Sequence, residues 1–320
     1  MRHDPRTATY VTLVQNPQSG TGGSDRDRLV RLLGDEGFSV TYCSTKEKGW
    51  EHVLDDPGDL VLVAGGDGTV GHVAERLVGR GVPLAVLSRG TANNIAKSLG
   101  LTGSPEETVA GLRRAVPRPL DAGTVRGRWG ARHFLEGVGL GLFARTMCLV
   151  DERSEAGRIE SAEGEEALTR DLRYLVRVLE RLQPHSWHIE ADGIDRSGQY
   201  LLCEVMNIRS VGPNLVLAPK ADSGDGWLDL VLARPEDRHQ LHAYLTARIA
   251  GRETSLALPV ERVQRVRIVA GGQEVQVDDE IERPSEDPGA VGAMLDIGIE
   301  PGALEVLVPA GRNGGGVAAR

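Results

Sequence analysis

Three short segments among the first hundred residues combine glycine with hydroxyl and amide side chains, a composition that suits phosphate binding. They are Asn16-Pro17-Gln18-Ser19-Gly20, Gly65-Gly66-Asp67-Gly68-Thr69 and Arg89-Gly90-Thr91-Ala92-Asn93-Asn94. Glycine lets the backbone approach a ligand closely, and N–H groups at a helix N-terminus suit phosphate oxygens. Asp67 adds a carboxylate that could hold Mg²⁺, directly or through water. Any one of these segments alone is also typical of an ordinary strand–helix turn.

These segments follow short apolar runs and, in two cases, directly precede helical patterns. The predicted strands of this half are Thr9–Val14, Phe38–Cys43, Leu60–Ala64 and Pro83–Ser88. Strands that alternate with helices predict a parallel sheet with helices on both faces. Ligands of such sheets gather at the carboxyl ends of the strands. We therefore expect the three segments to form one polyphosphate cradle at that edge.

After about residue 121 the pattern changes to consecutive strand-like runs, and Val263–Val269 alternates apolar and polar residues. Consecutive strands without intervening helices predict an antiparallel β-sandwich. The predicted domains are an α/β domain over 1–121, a β-sandwich domain over 122–310 and a disordered tail over 311–320. A helical insertion over about 151–183 interrupts the sandwich, with a polar loop over 151–164 before its helix.

The predicted helix over 168–182 carries an apolar stripe, and four arginines fall on another face: Arg170, Arg173, Arg177 and Arg181. A stripe of this kind favours a helix packed on the sheet, with its arginines in solvent. The alternative is an interfacial helix whose arginines meet anionic lipid head groups. The sequence leaves both open.

The 320 residues carry a formal net charge of −9, which argues against nucleic-acid binding because that function needs a basic surface. Cys43, Cys148 and Cys203 lie far apart and predict buried thiols rather than disulfides or a zinc site. The sequence shows neither a signal peptide nor an apolar run of membrane-spanning length. We expect a cytoplasmic protein whose oligomeric state is open, a homodimer being one option.

Two acidic segments of the second half offer oxygen atoms to a metal ion or a proton. Asp278-Asp279-Glu280 follows a short apolar run, and Asp222, Asp225 and Trp227 lie in the segment ADSGDGWLDL. Judged by composition alone, such segments are typical of solvated turns. Carboxylate oxygens bind Mg²⁺ only where the geometry brings them together.

Taken in chain order, these segments resemble a known family. They resemble the domains shared by diacylglycerol kinases, sphingosine kinases and bacterial lipid kinases of the YegS/DgkB type. The segments that carry this resemblance are NPQSG, GGDGT, GTANNIAKSLG, LDAGTV, APKADSGDGWLDLVL and VQVDDE. The resemblance reaches to about residue 310. It implies a diacylglycerol-kinase-like and NAD-kinase-like two-domain fold with ATP in the cleft between the domains. The implied activity is Mg²⁺-dependent transfer of the γ-phosphoryl group of ATP to the hydroxyl of a diacylglycerol-like lipid, during transient contact with a membrane surface.

The resemblance also implies roles for individual residues. Asp278 would be the general base that takes the proton of the lipid hydroxyl, and Glu280 would help to hold Mg²⁺. Asp222, Asp225 and the backbone carbonyl of Trp227 would form a second, structural Mg²⁺ site. The implied nucleotide-binding residues are Asn16, Ser19, Gly20, Thr45, Gly65, Gly66, Asp67, Gly68, Thr69, Gly90, Thr91 and Asn93.

The sequence departs from the family pattern at two positions. Asn94 replaces the usual aspartate of the GTxND segment, and a neutral amide cannot neutralise metal charge. Asp279 replaces the glycine of the DGE segment, where a positive φ would carry some cost and a third carboxylate could raise a neighbour's pKa. These departures keep a second hypothesis open, a nucleotide-binding regulator or pseudokinase without turnover. A third is a kinase of a soluble substrate such as NAD, which would share GGDGT but not the other segments.

Overall fold

The structure is a computed structural model that describes residues 9–19, 25–159, 162, 164–283 and 293–310. The chain forms two compact units, Met1–Leu120 with Ala303–Arg320, and Asp121–Gly302. Gly20 and the tail predicted over 311–320 lie outside the described residues. No helix in the described ranges has the length and apolar character needed to cross a membrane.

The first unit alternates strands with helices, as the sequence predicts. Its elements are β1 (Thr9–Gln15), α1 (Asp25–Asp35), β2 (Phe38–Ser44), β3 (Leu60–Gly65), α2 (Asp67–Leu77), β4 (Leu84–Ser88), α3 (Asn94–Ser98) and α4 (Pro105–Gly111), with 3₁₀ turns at Trp50–Asp55 and Leu112–Arg114. A capping box at Ser104 and Glu107 starts α4, because each side chain accepts a hydrogen bond from the other residue's backbone N–H.

The sheet of this unit is parallel and has the strand order β4-β3-β1-β2. All six residues of β3 are buried, which is typical of a parallel strand covered on both faces. One apolar cluster joins the strands to α1 and α4 through residues such as Leu13, Leu29 and Val109. The predicted parallel α/β domain is thus confirmed.

The second unit is mostly strands, and β5 (Val116–Gly127) leads into it. It continues with β6 (Gly130–Phe134), β7 (Gly137–Gly141), α5 (Leu142–Glu155), α6 (Gly164–Arg181), β8 (His185–Ala191), β9 (Ile194–Asp195), β10 (Gly198–Tyr200), β11 (Leu202–Met206), β12 (Ser210–Val211), β13 (Leu215–Val216), β14 (Leu228–Ala233), a 3₁₀ turn at Pro235–Asp237, α7 (Arg238–Ile249), β15 (Val260–Val263), β16 (Arg265–Ala270), β17 (Val275–Val277), β18 (Glu280–Glu282) and β19 (Ala293–Val308). The final residues of β19 belong to the first unit, where Val306 pairs in parallel with Leu84.

Two antiparallel layers form the predicted sandwich. One has the order β15-β14-β11-β7-β17-β18, and the other contains β10, β8, β16 and the first half of β19. An apolar cluster that includes Phe134, Val138, Trp187 and Ile268 draws residues from both layers. A second cluster lies on the other side of β11, where α5, α6 and α7 contribute Leu142, Leu175 and Leu245. Every residue of β11 is buried because that strand is covered on both faces.

The helical insertion was predicted to begin at about residue 151, but its first helix, α5, begins at Leu142. The polar segment predicted as a loop over 151–164 continues α5 as far as Glu155. Its buried residues, among them Leu142 and Cys148, lie in the first half of α5, so the exposed last turn shows no apolar period in the sequence. The helix predicted over 168–182 is α6, and its apolar stripe is buried.

The three cysteines are free and buried, as predicted. They lie in the core or close to it, and burial raises the pKa of the Cys148 thiol to about 11.

Candidate active site

The first two glycine-rich loops of the α/β unit are tied together by Asn16, which directly follows β1. Its backbone N–H donates to the carbonyl of Ala64 (3.0 Å) at the end of β3, and its side-chain Nδ2 donates to the hydroxyl of Thr69 (3.4 Å) in α2. Ser19 N–H donates back to Asn16 (3.0 Å), which closes the turn. Thr45 N–H donates to the carbonyl of Gln15 (2.9 Å), so the loop after β2 joins the same edge.

The second and third loops touch through their glycines. A Cβ added to Gly90 would lie 2.5 Å from the Cα of Gly66, a distance that real side chains essentially never show. A Cβ on Gly65 would lie 2.6 Å from the Cβ of Thr69. Arg89 N–H donates to the carbonyl of Gly65 (2.9 Å). Gly66 and Gly90 are therefore required by the close approach of the two loops, and Gly65 by the position of Thr69 in its own segment, whether or not a phosphate is bound.

The carboxylate of Asp67 holds the start of α3. Its Oδ2 accepts the N–H of Asn94 (2.9 Å) and its Oδ1 accepts the N–H of Ile95 (3.0 Å). Asp67 thus satisfies helix N–H groups that have no partner inside α3. A metal-bound water at Asp67 would have to share the carboxylate with these two N–H groups. Asn94, the neutral replacement, is buried beside these contacts and adds no negative charge to them.

The third loop is closed by its own asparagine. Asn93 adopts a left-handed conformation (φ 52°), its Oδ1 accepts the N–H of Gly90 (2.8 Å) and its Nδ2 donates to the carbonyl of Gly90 (2.7 Å). Thr91 is exposed at the tip. Beside this loop Arg89 forms a largely buried ion pair with Asp25 of α1. Sequence reasoning missed this pair, because nothing in the sequence connects two charged residues so far apart.

The candidate general base, Asp278, lies in the two-residue turn between β17 and β18. Its carboxylate accepts three successive backbone N–H groups, from Leu135 (2.9 Å), Glu136 (2.8 Å) and Gly137 (3.1 Å). Asp278 itself has a positive φ of 51°. The sequence analysis considered a positive φ at Asp279, but the structure has it at Asp278. Asp279 therefore replaces the glycine of the DGE segment without backbone strain.

The environment of Asp278 raises the pKa of its carboxyl to about 6. Burial is the largest cause, and the negative charge of Asp279 adds to it, while the three backbone N–H groups favour the ionised form and oppose the shift. At neutral pH the group is mostly ionised and binds a proton more tightly than an ordinary carboxylate does. That combination suits a general base.

Glu280, predicted to help hold Mg²⁺, forms an ion pair with Arg132 (2.8 Å). Arg132 also contacts Glu282 on the same strand (3.1 Å). Metal binding by Glu280 would thus have to compete with an arginine that the sequence did not indicate.

The predicted structural Mg²⁺ segment is an ordered turn. Asp225 accepts the N–H of Trp227 (3.1 Å) and pairs with Arg262 (2.6 Å), while Asp121 accepts the N–H groups of Gly226 and Gly302 (both 2.7 Å). Burial raises the pKa of Asp225, and the charges of Asp222 and Asp121 add to the shift. Among the described residues no group of three or more His, Cys, Asp or Glu side chains is suited to a metal. Asp222, Asp225 and the Trp227 carbonyl offer oxygen atoms of the kind that Mg²⁺ prefers, and an ion at Asp225 would have to compete with Arg262.

A further buried acid, Glu204 in the middle of β11, was missed by sequence reasoning. It is fully buried, and neither carboxyl oxygen has a hydrogen-bond partner within the described part of the chain. A Cβ on Gly139 of the neighbouring strand would lie 2.1 Å from its Oε1, so the carboxyl lies over that glycine. Burial raises its pKa well above the ordinary value. The only signal in the sequence is a glutamate inside the apolar run LLCEVM.

Two regions of the chain match known domain families. Residues 10–125 match the diacylglycerol kinase catalytic domain, and residues 154–308 match the YegS C-terminal NAD kinase beta sandwich-like domain. The two matches cover both units described above.

Individual relatives agree with these matches. A Pseudomonas aeruginosa protein described as "Probable lipid kinase YegS-like" is 32% identical over 90% of this chain and 96% of its own length. A Mycobacterium tuberculosis diacylglycerol kinase is 28% identical over 93% of this chain and 95% of its own. A crystal structure of a diacylglycerol kinase from Bacillus anthracis str. Sterne superposes with a TM-score of 0.68 over 94% of this chain and 97% of that chain. At 18% identity, this last likeness shows the fold alone.

Proposed function

This chain belongs to the diacylglycerol-kinase-like family of lipid kinases and is a kinase, and we propose that it transfers the γ-phosphoryl group of ATP to the hydroxyl of a neutral, diacylglycerol-like lipid. The transfer forms a bond between the lipid oxygen and the γ-phosphorus and breaks the bond to the oxygen that leaves with ADP. The hydroxyl proton must pass to a base, and the phosphoryl charge must be neutralised.

The observation that carries this proposal is the placement of Asp278. A carboxylate fixed by three backbone N–H groups cannot rotate freely, so one orientation of its remaining lone pairs is set in advance. Its pKa of about 6 leaves it ionised at neutral pH and still able to accept a proton. Asp278 would thus take the proton of the acceptor hydroxyl.

The interlocked loops of the α/β unit would bind the nucleotide. Gly65–Thr69 brings the N-terminus of α2 to the sheet edge, and the contact between Gly66 and Gly90 fixes the second loop against the third. N–H groups at that helix start suit phosphate oxygens. Asn16 orients Thr69 by a hydrogen bond, and Ser19, Thr45 and Thr91 add hydroxyls around the same edge.

Mg²⁺ would be held in two places. Each unit offers one candidate ligand for the ion that accompanies ATP, Asp67 in the first unit and Glu280 in the second, and that ion would neutralise charge on the phosphates. Asp222 and Asp225, with the Trp227 carbonyl, would hold a structural ion in competition with Arg262, because the charge of Asp222 raises the pKa of Asp225 and a bound cation would offset that charge. The lipid substrate would be reached by transient, peripheral contact with a membrane surface.

The direct test is a transfer assay on the purified protein with Mg²⁺, radiolabelled ATP and a panel of lipids in mixed micelles, with NAD as a soluble acceptor. Diacylglycerol should become labelled. Asp278→Asn should lose the transfer, whereas Asp279→Asn is a matched control because it removes the same charge at the next residue, which is exposed.

Three outcomes would contradict the proposal. Nucleotide binding without label in any lipid would favour the regulator hypothesis, which Asn94 and Asp279 support. Label in NAD alone would favour a kinase of a soluble substrate. Equal loss in the two variants would remove Asp278 from its role as base.

A further inference from the structure

The three N–H groups that hold the carboxylate of Asp278 belong to residues 135–137, here called the donor segment. Asn207, which directly follows β11, holds this segment through its carbonyl groups. Its Nδ2 donates to the carbonyl of Leu135 (3.1 Å), and its backbone N–H donates to the carbonyl of Glu136 (2.9 Å). One residue thus fixes two of the three carbonyl groups of the donor segment.

Asn207 is itself attached to a well-anchored part of the second unit. Its Nδ2 also donates to the backbone carbonyl of Asp121 (3.0 Å). The carboxylate of Asp121 accepts the N–H groups of Gly226 and Gly302 (both 2.7 Å). The N–H of Asp121 donates to the carbonyl of Ser223 (2.7 Å). A movement of the donor segment would therefore have to break the contacts of Asn207 with a residue that three further hydrogen bonds hold in place.

A second buried amide holds the turn that carries the base. Gln276 lies in β17, two residues before Asp278, and is buried. Its Nε2 donates to the backbone carbonyl of Asp278 (3.0 Å), and the N–H of Asp278 donates to the carbonyl of Gly137 (2.9 Å). Asn207 therefore fixes the segment that donates to the carboxylate, and Gln276 fixes the backbone of the residue that accepts.

Each of these buried amides leaves its oxygen unsatisfied. Among the described residues, Oδ1 of Asn207 and Oε1 of Gln276 have no hydrogen-bond partner. The partners of both nitrogens are carbonyl oxygens, so the reverse orientation of either amide would place oxygen against oxygen. A buried oxygen without a donor lowers the free energy of unfolding, and folds accept such losses mainly at functional sites. The two amides are therefore explained by what their nitrogens hold.

The position of the base decides how well it can take a proton. A general base must lie within hydrogen-bond reach of that proton, and a displacement of about 1 Å can cost about 10²-fold in rate. The donor segment sets the orientation of the Asp278 carboxylate, so a shift of the segment would move the carboxylate with it. Asn207 and Gln276 are only 1% and 2% exposed, so neither can touch a substrate. Any effect of these amides on catalysis must pass through Asp278.

We propose that Asn207 and Gln276 are positioning residues of the transfer reaction. Asn207 fixes the three N–H donors of the base, and Gln276 fixes the turn that carries the base. This inference rests on the proposed function, because it concerns the base of that reaction. The hydrogen bonds themselves can be tested without turnover.

The first measurement is hydrogen exchange of individual backbone amides, followed by NMR, in the wild type and in Asn207→Leu. Leucine has a similar size and no donor. The amides of the donor segment should exchange about ten-fold faster in the variant, as expected for the loss of hydrogen bonds of ordinary strength. The amides of β8, which lies in the other layer of the sandwich, should exchange as in the wild type.

The second measurement is the transfer assay, with kcat expressed per ATP-binding site so that unfolded molecules are not counted. Asn207→Leu should lower kcat by roughly 10- to 100-fold and leave KM for ATP within about two-fold. Gln276→Leu should lower kcat less, because it releases one carbonyl of the turn and leaves the donor segment in place. It should also speed the exchange of the Asp278 N–H, and it supplies both readouts should Asn207→Leu fail to fold.

Tyr200→Phe is the matched control. It also removes a hydrogen bond from a buried side chain to a backbone carbonyl, that of Arg196 (2.6 Å), in the same unit. Tyr200 lies in β10, which pairs with β8 and not with the strands on either side of the base. The control should therefore leave kcat and the exchange of the donor segment unchanged.

Three results would overturn the inference. Unchanged exchange of the donor segment in Asn207→Leu would show that the segment does not need the amide. Equal acceleration in β8 would show a general loss of stability in place of a local one. A raised KM for ATP with kcat unchanged would assign the effect to nucleotide binding. A wild type that labels no lipid would contradict the proposed function alone, because the exchange of the donor segment does not depend on turnover.

Discussion

Asp67 and Asp278 use their carboxylates in the same way in different surroundings. Asp67 accepts two N–H groups from α3, the next helix along the chain, and stabilises a loop against its neighbour. Asp278 accepts three N–H groups from residues more than 140 positions away, on the approach to β7. Burial raises the pKa of Asp278 to about 6. A carboxylate that accepts backbone hydrogen bonds can therefore cap a helix or be preorganised as a general base, and its surroundings decide which.

Separating the two roles of Asp278 should produce the largest effect. Asp278→Ala leaves three N–H groups without their acceptor and should lower the free energy of unfolding by about 3 kcal/mol, at about 1–3 kcal/mol for each unsatisfied group with partial rescue by water. Asp278→Asn keeps an acceptor oxygen and should be much more stable than the alanine variant. Both should lose roughly 10²- to 10⁴-fold in kcat. Urea unfolding and the transfer assay measure the two quantities, and a stable alanine variant would contradict the structural role.

On the side of the α/β unit, the corresponding change is Gly90→Ala. Its Cβ would meet the Cα of Gly66, so the loops must separate, and we expect a loss of about 1–3 kcal/mol in the free energy of unfolding. Nucleotide affinity should fall with it. Gly111→Ala is the control, because a Cβ there meets nothing within 4 Å and alanine favours the helix. Thermal unfolding with and without ATP would check both, and equal Tm values for the two variants would refute the loop contact.

Glu204 shows how burial alone affects stability, because within the described residues its carboxyl oxygens accept no hydrogen bond. Because its folded-state pKa is raised, the folded protein holds a proton that the unfolded chain releases above its ordinary pKa near 4.5. Its contribution to stability is therefore greatest below that pH and falls as pH rises towards the folded-state pKa. Glu204→Gln should remove this slope and stabilise the protein more at pH 8 than at pH 5. Denaturant unfolding across this range measures it, with the exposed Glu253→Gln as control. An unchanged slope would mean that Glu204 is paired.

The smallest effect concerns the carboxylate next to the base. Ionised Asp278 is needed for catalysis, so kcat/KM should rise with pH through about 6 and then level off. Since Asp279 raises the pKa of Asp278, Asp279→Asn should move this rise to lower pH by a fraction of a unit, with little change in the plateau. A shift to higher pH would contradict the electrostatic role given to Asp279.

The sequence was most informative where the contacts are local. The strand–loop–helix order predicted the parallel sheet, and alternation such as that of β16 predicted the antiparallel layers. The continuation of α5 to Glu155 escaped prediction, because its exposed last turn has no apolar period. The end of β19 pairs with β4, although the two strands lie more than 200 residues apart in the sequence. This pairing could not be predicted, because the residue pattern of one strand does not indicate its partner.

The sequence by itself determined which residues could bind phosphate, because this depends on residue type and on turns made by near neighbours, and its resemblance to a family implied which residue could take a proton. Only the tertiary structure decided what Asp67 and Asp278 contact, that Arg132 pairs with Glu280, and that Glu204 is buried over Gly139. The physical reason is that hydrogen bonds, desolvation and charge act through distances in space. Strand pairing sets those distances between segments that the chain itself keeps far apart.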